Sequence, residues 1–490
     1  MAHTETATLA PEKAGKKVLN PKAAVPVILF TFVFSLVIDN GFKFMSKPIA
    51  DDLHLSATTV SLQATLAGIV IGIGAVVYAA LADTFSIKKL LYVGIGLTVI
   101  GSIIGFVFQH SWPMVLTGRI IQTTGLAGAE TLYVIYVTKH ISAKDQKTYL
   151  GFSTAAFQLA MLIGVLTSGF VSTYISWTAM FLVSAALILA VPFIAKTVPD
   201  DEKVSANLDI IGLFLIGVFA TFAVIFMQEF QPIYAVVSVI GVVLFAVYIK
   251  INNKALVRPE FFLNGRYVWA LVVVLILYSV QLGYIFFFPF IVSTLHGLGT
   301  DTASMLIAPG YACATAVGAA SGAIAKVLKT RPAIIIALCS ICGALVIPAI
   351  IPDTSLWLLI LSMMFFGSGF ALMYAPLMAS AIKKIPAEKT GVAIGFYNLT
   401  INIAIPVGIA YTAKLIDIEP TFLSGLTQGS GHTAHAYATV LWILAGITAV
   451  AFVVYVASDR YLTRREKQRG ETLDGDNAVD PAAAEAYALS

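Results

Sequence analysis

A helix that crosses a bilayer needs about 20 consecutive, mostly apolar residues, and this 490-residue chain supplies such stretches repeatedly. Apolar segments fall near 25–46, 60–82, 89–109, 112–138, 148–170, 176–196, 208–228, 232–251, 266–293, 303–326, 332–351, 355–381, 390–416 and 436–457. Hydrocarbon offers backbone N–H and C=O groups no partner, so spanning segments must bond internally, and segments of this length do so as helices. The tightest junction is Gln228-Glu229-Phe230-Gln231-Pro232, which divides 209–251 into two helices. Composition agrees: 59% of residues are hydrophobic and 11% charged, against about 25% charged in soluble domains. The expected fold is an all-α polytopic membrane protein of fourteen transmembrane helices.

Charge placement orients these spans. Lys and Arg gather in cytoplasmic loops. With the N-terminus inside and strict alternation, 26 of the 30 Lys and Arg residues fall on the inner side. Lys47 and Lys414 fall outside, and Lys43 and Arg119 lie within helices. Both termini are therefore expected in the cytoplasm, and the polar first twenty residues lack the apolar core of a signal peptide. Ile141–Phe152 and Ile385–Phe396 share Ile, Ala, Gly and Phe in register, 244 residues apart, and Gly74-Ala75 meets Gly318-Ala319 at the same offset. The expected organisation is a cytoplasmic N-tail (1–24), a six-helix half (25–196), a linker with two inserted helices (197–265), a second six-helix half (266–457) and a C-tail (458–490). Parallel halves of this kind are a secondary-transporter plan with a midplane site between them.

Several function classes find no support. No Gly-x-x-x-x-Gly-Lys-Ser/Thr phosphate loop occurs, and no polar segment is long enough for an ATPase domain. Cys339 and Cys342 lie one turn apart in an apolar run and read as packing residues. His432 and His435 read as loop surface. No enzyme chemistry, metal, cofactor or nucleic-acid partner is expected. The energy source is then an ion gradient, and the partners are a small-molecule substrate, protons and the lipid bilayer, with a monomer as the working unit.

Charge inside the spans is the sharpest signal. A charge at a helix centre costs about 2.5–3.5 kcal/mol on the insertion scale, so four unpaired ones would cost about 12 kcal/mol, comparable to a whole fold's stability. The four are Asp39, Lys43, Arg119 and Glu130. Asp39 and Lys43 are spaced i, i+4. Asp39 and Arg119 share a depth of about seven residues below the outer boundary, and Arg119 and Glu130, about three turns apart, share a face of one helix. These four are expected to face a cavity or one another, either as a static salt-bridge set or as a proton relay with a substrate site. Glu130, among Gly125, Ala127, Gly128 and Ala129, has the room to exchange protons, whereas Asp39 lies beside two cations. Gln122, Gln158, Gln281, Tyr284, Tyr397, Asn398 and Asn402 are candidate cavity-lining residues.

Asp83-Thr-Phe-Ser86-Ile-Lys88-Lys89 follows the second span. It resembles the Gly-x-x-x-Asp-x-x-Gly-x-Lys/Arg-Lys/Arg loop of the major facilitator superfamily, with Ala79 and Ser86 in place of the two glycines. Gly118-Arg119-Ile-Ile-Gln122-Thr-Thr-Gly125 is similar to that family's helix-four element. Ile38-Asp39 with Pro48 resembles the helix-one signature of its fourteen-helix drug:proton antiporters. Val37–Met45 and Gly395–Leu399 look most like the staphylococcal-type tetracycline efflux pumps. The resemblance covers nearly all of 25–457 and implies proton-coupled export of amphipathic drugs by alternating access, across a bacterial cell membrane. It also implies a gating role for Asp83, Lys88 and Lys89, pairing with charges or a helix end in one state only. One element departs: helix five reads Gly164-Val-Leu-Thr-Ser-Gly169 where the antiporters have Gly-Pro-x-x-Gly-Gly. The missing proline leaves a symporter importing a small metabolite as the rival expectation.

Overall fold

The computed structural model describes residues 21–82, 85–200, 209–252, 262–353, 355–383, 385 and 387–468. The regular structure among them is helical. The first half holds α1 (Pro21–Phe44), α2 (Ser46–Asp52), α3 (Ala57–Leu81), α4 (Ile87–Val107), α5 (Trp112–Leu126), α6 (Ala129–His140), α7 (Ala143–Tyr174), α8 (Ala179–Ala185) and α9 (Val191–Thr197). Next come α10 (Ile210–Glu229) and α11 (Pro232–Ile251). The second half holds α12 (Gly265–His296), α13 (Thr300–Ala319), α14 (Ser321–Val327), α15 (Thr330–Ile350), α16 (Leu356–Ile382), α17 (Ala387–Ile418) and α18 (His432–Gln468).

Twelve helices among the described residues are long and apolar enough to cross a membrane. The expected fourteen are corrected to twelve by that measure, and the two shortfalls have local causes. The stretch 112–138 is interrupted at Ala127 and Gly128, between α5 and α6. There Gly128 lies against the Tyr78 ring, and Gly125 lies against the α4 backbone at Gly94. The stretch 148–170 belongs to α7, whose first turns carry Lys144, Asp145 and Lys147; its described apolar run is Leu159–Tyr174. At the chain's far end, α18 continues to Gln468, so the start of the expected C-tail is helical.

The tight junction at 228–232 folds as two helices. Asp209 caps α10 by accepting from the Gly212 N–H at 2.9 Å. Phe230 ends α10 in the left-handed region at φ +53°, and Pro232 occupies the first turn of α11, where its missing N–H loses no bond.

Helix boundaries make the internal repeat visible. α5 and α16 begin at Trp112 and Leu356, and α7 and α17 end at Tyr174 and Ile418, each pair 244 residues apart. Packing repeats as well: α1 lies on α7 and α12 on α17, while α4 lies on α5 and α15 on α16. The halves then meet along two seams, α3 with α17 and α7 with α13.

Small residues let these helices approach closely, as in other membrane bundles. A Cβ on Gly164 of α7 would lie 2.9 Å from the Val37 carbonyl of α1, and one on Gly367 would lie 2.6 Å from the Gly310 carbonyl. Tightest is Gly408, set against the Ser279 backbone where α17 crosses α12. The inserted α10 covers the first seam, touching both α3 and α17. There Gln228 donates to the Ser61 hydroxyl at 3.0 Å, and Val224 packs with Ile69 and Ala410. α11 packs on α10 and leaves Val236, Val239, Ile240, Val243 and Val247 exposed, as expected of a lipid-facing helix.

Gly408→Val should overpack the α12–α17 crossing and lower stability by about 1–3 kcal/mol, read as a fall in melting temperature of detergent-purified protein. Gly446→Ala, where a Cβ meets nothing within 4 Å, should leave the melting temperature unchanged or raise it.

Candidate functional site

Three of the four intramembrane charges come together in the first half. Asp39 and Lys43 stand one turn apart on α1, and the Lys43 ammonium donates to Asp39 Oδ2 at 2.5 Å. Arg119 reaches across from α5 and donates through Nη2 to Asp39 Oδ1 at 2.7 Å. Its Nη1 donates to Gln122 Oε1 at 2.7 Å and Thr123 Oγ1 at 2.9 Å, and its Nε points to Gln63 Oε1 at 3.4 Å. The guanidinium also lies 4.5 Å from the centroid of the Phe42 ring, a cation–π geometry. Gln63 is anchored in turn, donating to the Phe42 carbonyl at 2.8 Å and the Ser46 hydroxyl at 3.0 Å. Asp39 is 3% exposed and Arg119 1% exposed. This cluster has the satisfied, desolvated form that a buried ion pair needs to persist.

The glycines of the degenerate helix-five element lie directly behind it. Gly164 packs against Val37, Asn40 and Gly41 on the turn of α1 that carries Asp39, and Gly169 packs against Ser304 of α13. α7 is continuous through this region. Close packing therefore survives without the proline.

Glu130 behaves differently. The interruption at Ala127–Gly128 places it in the first turn of α6, where its side chain is exposed although its neighbours Gly128 and Ala129 are buried. Arg119 is buried within its ion cluster, whereas the Glu130 side chain is exposed. Among the described residues no hydrogen bond or ion pair engages Glu130. Tyr374 of α16, in the opposite half, lies within electrostatic range of its carboxylate. The glutamate therefore faces the gap between the halves. A narrow cavity lined by Thr31, Ser35, Tyr78, Gly94, Gly125 and Ala129 reaches the backbone beside it.

The remaining candidates divide. Gln281, Asn398 and Asn402 are partly exposed, and Asn402 donates to the Asn398 carbonyl one turn back at 3.1 Å. Three others are buried and do not line the gap. Gln122 is spent on Arg119 and on the Ser102 hydroxyl at 3.0 Å. Tyr284 shares a hydrogen bond with Ser362 at 2.8 Å and stacks edge-on against Phe366. Tyr397 is fully enclosed. Lys88 donates to the Ala195 carbonyl in the last turn of α9 at 2.8 Å, a contact within its own half, and Lys89 is exposed. Asp83 and the side chain of Gln158 lie outside the described residues.

Sequence reasoning missed Gln63 and Tyr374. A glutamine in the apolar run 60–82 was a legible signal for the first. Tyr374, one of several aromatics on its span, carried no signal that set it apart.

Two repeated helical halves packed along two seams, with a cluster of buried charge in the first, are the frame of a membrane transporter. The chain belongs to the Major Facilitator Superfamily, whose family model matches residues 28–409. Among curated proteins it is similar to the riboflavin transporter RibZ of Clostridioides difficile (strain 630), with 20% identity over 89% of this chain and 98% of that one. It is also similar to the quinolone resistance protein NorB of Staphylococcus aureus (strain MRSA252), with 22% identity over 89% and 95%. Among solved structures, the POT family transporter PepTSo aligns over 91% of this chain and 99% of that one, with a TM-score of 0.68 and 13% identity. The nucleoside transporter NupG aligns over 89% and 99%, with a TM-score of 0.65 and 14% identity. The structural likenesses establish the fold, and the family membership makes this a multi-pass membrane transporter.

Asp39 is shared by two cations, so removing its charge strands both. Asp39→Asn should therefore cost about 3–5 kcal/mol, seen as loss of monodisperse protein on size exclusion and a lower melting temperature. Adding Arg119→Met should recover part of that loss, because one of the two stranded cations is then gone.

Proposed function

We propose that this chain is a proton-coupled secondary exporter of amphipathic drugs that works by alternating access. The observation that carries this reading is Glu130, an exposed acid with no hydrogen bond or ion pair among the described residues, within electrostatic range of Tyr374 of the opposite half. An acid in such a place can take up a proton or offer its charge to a cationic group on a substrate, and the two uses exclude each other. That exclusion is the elementary requirement of exchange. Asp39, Lys43 and Arg119 hold α1 to α5, and Asp39 serves positioning in this scheme. Gln281, Asn398 and Asn402 supply polar contacts to the substrate. The proton gradient is the energy source, with no bound cofactor, and the monomer is the working unit.

The orientation follows the positive-inside rule. Lys88, Lys196, Arg266, Lys329, Arg331 and Arg460 mark the cytoplasmic face of a bacterial cell membrane, with both chain ends there. In this reading α5 and α6 together make one crossing and α7 another, which restores fourteen crossings. Asp83, Lys88 and Lys89 gate the cytoplasmic face.

Tetracyclines are the substrates suggested by the helix-one text. The relatives named for quinolone resistance and riboflavin transport widen the class to flat, fused-ring molecules with polar edges. The riboflavin relative and the missing helix-five proline favour one second reading, a symporter that imports such a molecule. Everted vesicles separate the two: an inward proton gradient should drive accumulation of a tetracycline or a quinolone. Accumulation that ignores a protonophore would remove proton coupling, and gradient-driven riboflavin uptake into intact cells would favour import.

Glu130→Gln should abolish gradient-driven accumulation in those vesicles by at least about 100-fold, on the scale of losing a proton-transfer group, yet spare exchange of substrate for substrate. Asp39→Asn should impair both. Wild-type, pH-dependent accumulation by Glu130→Gln would make the glutamate structural and move the proton site to Asp39.

A further inference from the structure

The first N–H groups of an α-helix have no partner within the helix, and two helices of this bundle obtain theirs from the opposite half. α3 starts at Ala57. Its Ala57 and Thr58 N–H groups donate to the two carboxylate oxygens of Asp417 at 2.8 and 2.7 Å. Asp417 lies in the last turn of α17, across the α3–α17 seam. α13 starts at Thr300, and the Asp301 N–H donates to the Thr173 hydroxyl at 3.1 Å. Thr173 lies in the last turn of α7, across the α7–α13 seam. The Tyr174 hydroxyl adds a bond to Asp301 Oδ2 at 2.9 Å.

These two contacts are one device used twice. Thr173 and Asp417 are 244 residues apart, the offset at which α7 and α17 end. The helices they cap, α3 and α13, begin at Ala57 and Thr300, 243 apart. In each seam, the C-terminal end of a helix from one half therefore caps the N-terminal end of a helix from the other. Both caps lie at the same face of the bundle, the face that carries the α1–α3 and α17–α18 connections. A capping side chain is useful to a helix only while it stays within hydrogen-bond reach. Parting the halves at this face must uncap α3 and α13 together.

We propose that Asp417 and Thr173 are the latch of this face: the paired caps across the seams hold it closed and set the equilibrium between the two access states. The carboxylate is the stronger member, because it makes a charge-assisted bond to each of two donors at a positive helix end. The hydroxyl of Thr173 accepts one bond, and Tyr174 and Asp301 reinforce that seam. The latch rests on alternating access alone and not on the drug or the proton, so it can fail while the exporter reading stands, and the reverse.

The test is a distance measurement on the full-length protein in lipid nanodiscs. Spin labels go on His110→Cys and Trp357→Cys, exposed positions in the two halves at the same face, with Cys313, Cys339 and Cys342 replaced by serine. Losing a cap of this kind is equivalent to about a tenfold change in an equilibrium. Asp417→Ala should therefore raise the ratio of the long-distance (open) to the short-distance (closed) population about tenfold. Thr173→Val should raise it less, and Thr173→Ser, which keeps the hydroxyl, should not. The two loss variants combined should multiply, since they act at separate seams. Asp417→Asn keeps one acceptor and should give an intermediate shift, which also serves if Asp417→Ala yields no folded protein. Parent-like distance distributions in folded Asp417→Asn and Thr173→Val would overturn the latch. So would an equal shift from Thr173→Ser and Thr173→Val.

Discussion

Hydrocarbon gives a charge nothing to interact with, and the interior of this bundle is arranged around that constraint. Asp39, Lys43 and Arg119 meet it collectively. One carboxylate is shared by two cations, and the spare guanidinium donors are taken up by Gln122, Thr123 and Gln63. Because the cluster draws on α1, α3 and α5, it fixes the relative depth of three helices at once. Sliding any one of them by a turn would strand a charge. Glu130 meets the same constraint in the opposite way, by facing a gap rather than a partner. An ion held by several fixed partners is a poor place for reversible chemistry, and an ion held by none is a good one.

Glycine contacts join helices within each half, and another, Gly169 against Ser304 and the Thr300 carbonyl, crosses a seam. Inside a half, glycines bring backbones nearly into contact, at Gly164 on α1, Gly367 on α13 and Gly408 on α12. Close packing of this kind is short-ranged and resists small displacements. The ends of the seams add hydrogen bonds to helix termini through exposed side chains, which water can replace. Rigid halves with exchangeable end contacts are the mechanical requirements for rocking between two access states. The inserted α10 lies over one seam, touches both halves and is tied to the first by Gln228 and Ser61.

Much of this was legible along the chain. Spans, their separation by charge, the break at 228–232 and the 244-residue repeat are all one-dimensional properties: each follows from the length of an apolar run or the spacing of a motif. The pairing of Asp39 with Lys43 was legible for the same reason, because i, i+4 spacing fixes proximity within a helix. Arg119 could be assigned to the depth of Asp39 by counting residues from each boundary. Counting could not report that Arg119 is buried while Glu130 is exposed, because burial depends on which helices pack around each position.

What the sequence determined by itself is the class of object: an apolar chain with charges in its loops has one solution in a bilayer, a helical bundle oriented by its cations. The tertiary structure alone decided which polar residues are spent and which are free. Gln122, Tyr284 and Tyr397 are as polar in sequence as Gln281 and Asn398, yet the first three are enclosed and the last two are not. It also decided that Asp417 would meet the start of α3, from a helix that begins more than three hundred residues further on. The physical reason is the same in both cases. Burial and hydrogen bonding are properties of a three-dimensional neighbourhood, and no local spacing rule reports which distant helix will supply the neighbour.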